Sequence, residues 1–297
     1  MKKFKVSIIS KKSKEIEELA EFLSSSFEVT IFQKLKKIEF DSLSSERVEV
    51  ICKDDLVLDC DVLIIRATGK NYRKIRIITE LAQERGILII DGVDRFRSLS
   101  HLKSLTGMIG REKLKYIPTY IAYSKMTAQT FVRRFFDKNP EKKLLMKPVD
   151  GSQGKGVKVF GSREDFNKIT KLMRARIYFI QEYIPFAREF RTMVIGDEYI
   201  GSVEKIKAEG KVTANFATGA EWIPVDDQEL ENKLFKFSME NSKNEISILG
   251  HDVGMTEDGE FFIIESNWCP QWIPFQNVSG INISEKILDF LKKVYYN

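Results

Sequence analysis

Histidine and cysteine are scarce in this chain of 297 residues, which has two of the first, His101 and His251, and three of the second, Cys52, Cys60 and Cys269. Two histidines leave little from which to build a His-rich zinc site or a Ser/His/Asp triad. The cysteines share no metal-ligand spacing and make no even-numbered disulfide framework, which fits a reducing cytoplasm. No apolar run approaches the roughly 18 residues of a membrane span. The opening MKKFKVSIISKK has too short an apolar stretch for a secretory leader, which needs roughly 7–15 residues, so it reads as a first strand. Two phosphate-binding signatures are also missing: neither G-x-x-x-x-G-K-[ST] nor G-x-G-x-x-G occurs.

What is present is the composition of a soluble globular protein, 43% hydrophobic and 31% charged. The 48 basic and 43 acidic side chains leave a net charge of +5 and are interspersed. That pattern argues against a nucleic-acid or membrane partner and suits a small anionic ligand such as a phosphate.

The first hundred residues alternate strand and helix. Strands are predicted over Lys5–Ile9, Glu28–Phe32, Val62–Ile65 and Ile87–Ile90, with helices over Lys12–Leu23 and Tyr72–Arg85. This is the pattern of a βαβ-type parallel sheet. A helix over Ser98–Arg111, a strand over Tyr116–Ala122 and a helix over Thr127–Asp137 follow. Beyond Leu144 the pattern changes to long antiparallel hairpins. There is no internal repeat and no low-complexity segment.

Chemistry concentrates in three hairpins. In LLMKPVDGSQGKGVKVF the glycines Gly151, Gly154 and Gly156 lead into an alternating Val157–Phe160, so the loop joins strand to strand. A glycine-rich tip can turn its N–H groups to an anion, although a mobile surface turn reads the same way. In EFRTMVIGDEYIGSVEKI, a two-residue turn at Gly196-Asp197 sets Glu189 opposite Glu204 and Arg191 opposite Ser202. Two acids face to face there need a cation or ligand between them; the plainer reading is a solvated face with an Arg191–Glu204 pair. In ISILGHDVGMTEDGEFFIIESNW, a turn at Asp258-Gly259 sets Asp252 opposite Glu265, with Asn267 two residues on and on the same face. Two opposed carboxylates beside an amide oxygen suit Mg²⁺; otherwise one is protonated or the register slips.

In order and spacing, KPVDGSQGKGV, QEYI at Gln181–Ile184, EFRTMVIGDE, NFATGA at Asn215–Ala220, and Asp252 with IIESN resemble the ATP-grasp enzymes. Within them the chain is most similar to RimK-like glutamate ligases and glutathione synthetases, from about Ser98 onward. The resemblance implies an α/β ATP-grasp fold with a Rossmann-like leading lobe at residues 1–97, a central lobe at 98–180 and a C-terminal lobe at 181–297. It implies that Lys103 and Lys147 reach phosphates, and that Gly151, Ser152, Gln153, Gly154 and Gly156 form a flap over the triphosphate. Glu182, Tyr183 and Ile184 become the adenine hinge, Glu189 the ribose ligand, and Asn215 a neighbour of the triphosphate. Arg191 and Lys205 stabilise the transferred phosphoryl group. Asp252, Glu265 and Asn267 hold Mg²⁺, as two ions replaceable by Mn²⁺.

The implied reaction is an ATP-dependent carboxylate–amine ligation through an acyl-phosphate, on small-molecule or peptide substrates in the cytoplasm. The chain departs from that pattern at Asn267-Trp268-Cys269-Pro270-Gln271, where such ligases read N-[AS]-[SN]-P-G, and at Thr213 and Gly219-Ala220. Trp268 and Trp272 then either wall the acceptor pocket or belong to the core, and Cys269 is expected to be a packed side chain. An inositol phosphate kinase of the same architecture is the alternative. An ATP-binding regulatory module without turnover fits less well.

Overall fold

The computed structural model describes residues 4–43, 47–66, 71–91, 115–147, 156–171, 177–206, 221–242, 247–267 and 269–296. The N-terminal lobe is a parallel sheet in the order β2-β1-β6-β7, formed by β1 (Lys5–Ile9), β2 (Glu28–Phe32), β6 (Val62–Ile65) and β7 (Leu88–Ile90). Helix α1 (Lys14–Ser24) starts where Ser13 caps it by accepting from the Ile16 amide at 3.3 Å, and α2 (Tyr72–Glu84) ends just before Gly86. A small antiparallel sheet of β3 (Ile38–Asp41), β4 (Glu49–Cys52) and β5 (Asp55–Leu56) is appended to this lobe.

The central lobe is an antiparallel sheet in the order β10-β9-β11-β8. Its strands are β8 (Thr119–Ala122), β9 (Leu144–Lys147), β10 (Lys158–Phe160) and β11 (Tyr178–Glu182), and α3 (Lys125–Lys138) and α4 (Arg163–Lys171) cover one face. β9 pairs antiparallel with β10, so the glycine-rich segment does connect strand to strand. Tyr116 forms an isolated bridge to Ile263 instead of opening β8. The helix expected over Ser98–Arg111 lies outside the described residues.

The C-terminal sheet runs β14-β13-β12-β15-β16, from β12 (Arg188–Ile195), β13 (Glu198–Ile206), β14 (Glu221–Pro224), β15 (Ile248–Met255) and β16 (Phe261–Asn267). The hairpin pattern expected throughout this half is incomplete, because helices α5 (Gln228–Ser242), α6 (Ile273–Ser279) and α7 (Ile283–Tyr296) also occur here. Leu230 and Leu234 of α5 pack with Phe190, Val253 and Ile263 on one face of the sheet.

The opposite face is divided. Met193, Ile195, Val203 and Ile248 join a single core with Val6, Ile8, Ile64 and Ile90 of the N-terminal sheet and with Trp272, Phe275, Ile287 and Leu291. Glu189, Arg191, Lys205 and Asp252 lie on that same face further along. The N-terminal lobe therefore covers half of the face, and the polar half, also buried, lies near Lys147 of the central lobe.

A bulge sets which β13 side chains reach that polar half. Next to the turn, Ile195 pairs with Glu198 and Val194 with Tyr199, as a two-residue loop requires. The register then shifts, Met193 pairing with Gly201, Thr192 with Ser202, Arg191 with Val203 and Phe190 with Glu204. The expected Glu189–Glu204 and Arg191–Ser202 pairs are thus corrected, because Ile200 is an extra residue. Gly201 at φ +149 occupies backbone space that side chains rarely enter. Gly201→Ala is expected to lower stability by about 1–3 kcal/mol, the usual cost of such a conformation, read as an unchanged-slope shift in a urea unfolding midpoint.

Candidate active site

The bulge turns Lys205 towards the face of Glu189 and Arg191, and turns Glu204 away. Glu204 instead takes the Arg188 guanidinium, at 2.8 Å from Nε and 2.5 Å from Nη2, so the arginine–glutamate pair expected at Arg191 belongs to Arg188. Arg191 and Lys205 both donate to the Asp252 carboxylate, from Nε at 2.8 Å and Nζ at 3.0 Å to Oδ1. All three side chains are buried.

Asp252 pairs directly with Glu265, and Asn267 pairs with Gly250 two positions along. The route differs from the simple hairpin. The turn is one residue longer than two, with the Thr256 amide donating to the Glu260 carbonyl, and Met255 pairs with Phe261. A bulge at Ile264 then shifts the ladder back, so Asp252 and Glu265 meet through two compensating irregularities.

Lys147 ends β9 opposite Phe179, on the sheet face turned away from α3 and α4. Burial pushes its ammonium pKa down, while Glu265, Asp252 and Glu189 pull it back up. One lysine of the central lobe thus sits in the field of three carboxylates of the C-terminal sheet. Burial alone would raise the Asp252 carboxyl, but Arg191 and Lys205 prevail and hold it below the usual carboxylate range. The opposed carboxylates are accordingly compensated by cations, with no need for a proton on Asp252.

The donor set fits a hard cation. Asp252 and Glu265 supply opposed carboxylates and Asn267 an amide oxygen from the same face, the oxygen chemistry that Mg²⁺ takes. Among the described residues no three His, Cys, Asp or Glu side chains are placed to hold one metal ion together, so a third protein ligand would be the Asn267 amide.

The segment Glu182–Ile184, expected to be the adenine hinge, is held by its backbone. The Glu182 amide donates to the Pro118 carbonyl at 3.0 Å and the Tyr183 amide to Lys143 at 2.9 Å, so neither amide is left to read a base. Pro118 has no N–H and cannot return the hydrogen bond to Glu182. The Glu182 side chain is tied to Lys142 at 2.7 Å. Of the flap, Gly156 is described, at φ +80. Lys103, Gly151, Ser152, Gln153, Gly154, Asn215 and Trp268 lie outside the described residues.

Of the two places left open for Trp272 the core holds it, fully buried, whereas Cys269 is exposed rather than packed as expected. His251 lies behind the site, with Nε2 at 2.7 Å from Ser242 Oγ and Nδ1 at 2.9 Å from Ser266 Oγ. Sequence reading missed Arg66 and Asp91, which form a buried ion pair where β6 and β7 end. The available signal was a polar residue at the carboxyl end of two apolar parallel strands, where open α/β sheets place functional groups.

The profile of the RimK-like ATP-grasp domain matches residues 94–291. The tetrahydromethanopterin:α-L-glutamate ligase of Methanococcus maripaludis is 22% identical over 245 residues, covering 78% of this chain and 79% of that protein. The ribosomal protein bS6–L-glutamate ligase of Escherichia fergusonii is 26% identical over 155 residues, half of each chain. Among solved structures, ATP-grasp ligase PsnB complexed with a minimal precursor superposes with TM-score 0.69 at 14% identity, covering 98% of this chain and 99% of that one. D-alanyl-alanine synthetase A from Vibrio cholerae gives 0.68 at 13%, over all of both chains. No helix among the described residues is long and apolar enough to cross a membrane.

Replacing Lys147 by Met removes a half-buried ammonium and should raise the stability of the nucleotide-free chain by at most about 1 kcal/mol, since apolar replacement of desolvated charge is often stabilising. It should abolish ATP binding by calorimetry. Because its pKa in the fold lies below the ordinary 10.5, protonating Lys147 costs stability, which wild type recovers as pH rises through the lowered value. The variant should lack that rise in thermal melts taken across pH.

Proposed function

The chain belongs to the RimK-like ATP-grasp family, and from that premise we propose that it joins a carboxylate donor to an amine through an acyl-phosphate, releasing ADP and phosphate. The observation that carries this reading is the meeting of Lys147, Arg191 and Lys205 with Asp252 and Glu265 between two sheets. The enzyme is an ATP-grasp ligase, and the relatives named above are ligases, so the kinase alternative is not favoured. L-Glutamate is the first amine to try, because both curated relatives are glutamate ligases.

In this reading Lys147 neutralises the ATP phosphates from the central lobe, and Lys103, residues 151–156 and Asn215 assist by family resemblance. The Glu182 carbonyl, which Pro118 cannot engage through an N–H, accepts from the adenine amino group, and Ile184 supplies the donor; Glu189 takes the ribose hydroxyls. Asp252, Glu265 and Asn267 would hold Mg²⁺, which when bound neutralises phosphate charge. A carboxylate oxygen of the donor attacks the γ-phosphorus, the bond to the β-phosphate oxygen breaks, and ADP leaves. Arg191 and Lys205 stabilise the charge on the transferred group. The amine nitrogen then attacks the acyl carbon, loses a proton and expels phosphate. Positioning and charge suffice, and no nucleophilic side chain is required.

Hydroxylamine tests the acyl-phosphate. MgATP, hydroxylamine and a panel of small carboxylates and peptides should yield a hydroxamate, ADP and phosphate, without AMP. ADP formed with the phosphate retained on a polyol would overturn the ligase reading. Glu265→Gln should raise the Mg²⁺ concentration needed for half-maximal turnover at least about tenfold, the usual scale for losing a charged ligand, with adenosine binding unchanged.

A further inference from the structure

Two side chains of the N-terminal lobe grip the segment that follows β16 by its backbone. The buried Arg66 guanidinium donates from Nη2 to the Pro270 carbonyl at 2.6 Å, stacks over the Trp272 ring at 4.7 Å, and pairs through Nη1 with Asp91. Asp91 in turn accepts from the Ile248 amide, at the start of β15, at 2.9 Å. From α1, Glu15 Oε1 accepts from the Trp272 amide at 2.8 Å and from the Ile273 amide at 3.4 Å. A cation therefore holds the carbonyl and an anion holds the amides of one short stretch.

That stretch presses on the site. A Cβ on Gly250 would lie 2.8 Å from Pro270 Cβ and 2.7 Å from Arg191 Nη1, so the Pro270 ring and the Arg191 guanidinium share the space that glycine leaves open. The guanidinium whose Nε reaches Asp252 therefore borders the same space at Gly250 as the Pro270 ring. A free arginine samples several rotamers, and an ångström of misplacement in a charge-stabilising group has large kinetic consequences.

We propose that Arg66 and Glu15 are positioning residues which, through Pro270 and over Gly250, fix the Arg191 guanidinium on Asp252 for the ligase reaction. The proposal rests on the assignment of Arg191 to the transferred phosphoryl group. Neither residue touches the nucleotide in this arrangement; both act through the 269–273 segment.

The direct test is the Arg191 Nε–H resonance in protein labelled with ¹⁵N-arginine, assigned by its loss in Arg191→Lys. Wild type should show it protected from solvent exchange. Glu15→Ala and Arg66→Lys should each speed its exchange at least about tenfold, and Glu15→Gln, which keeps an acceptor oxygen, should restore most of the protection. Where Glu15→Ala or Arg66→Lys unfolds, Pro270→Ala, which removes the ring from the space at Gly250 without touching Arg191, provides the same measurement. Unchanged exchange in the folded variants overturns the proposal. Turnover gives the second readout: Glu15→Ala should slow ADP release about tenfold at saturating MgATP, with ATP affinity within twofold of wild type. Combined with Arg191→Lys, its loss should not multiply. Multiplying losses overturn the proposal. An inactive wild type with a protected Arg191 Nε–H would instead sink the ligase reading and leave the positioning intact.

Discussion

A β-strand sends every second side chain to the same side, so a strand that is apolar at one end and charged at the other divides its face between two environments. Along β12, Met193 and Ile195 enter the core with the N-terminal sheet, while Glu189 and Arg191 belong to the buried polar half. The same split runs through β13, from Val203 to Lys205, and through β15, from Ile248 to Asp252. The apolar half anchors the polar half, which would otherwise have to hold mutually attracting and repelling charges in place by themselves. The cations Arg191 and Lys205 on one carboxylate oxygen are tolerable at such depth because the opposing acids are close at hand.

Much of this was legible in the sequence, and the failures have physical causes. The parallel order of the leading strands and the strand-to-strand nature of the glycine-rich segment follow from periodicity and turn residues. Asp252 and Glu265 do oppose each other, although the route needs a longer turn and a bulge at Ile264, neither of which a two-residue loop anticipates. Gly201 carried a usable signal, since glycine inside a strand often marks a bulge, and reading it would have placed Lys205 beside Glu189 by register alone. The helix Gln228–Ser242 was hidden by its largely polar sequence, and Ile273–Ser279 and Ile283–Tyr296 also interrupt the hairpin pattern expected beyond Leu144. Arg66 and Asp91 could not be paired from sequence, because their proximity depends on two strands becoming neighbours only in the folded sheet.

Superpositions near 0.7 with both ATP-grasp ligase PsnB and D-alanyl-alanine synthetase A show how little the scaffold itself says about what is joined. Beside the site, the Arg191 guanidinium lies 5.8 Å from the Trp222 ring, and Cys269 is exposed two residues before Gln271.

The core shared by the first and last parts of the chain has a further consequence, for synthesis. Val6, Ile8 and Ile64 share their core with Ile16 and Leu19 of α1 but also with Ile283, Ile287 and Leu291, which the ribosome adds long afterwards. The central lobe has a core of its own, made of residues from Ala122 to Ile180, and can close while the remainder is still being made. The parallel sheet must then wait with apolar surface exposed, and its long-range contacts form last and slowly. A chain interrupted before Ile283 would therefore have an ordered middle and an unfinished beginning.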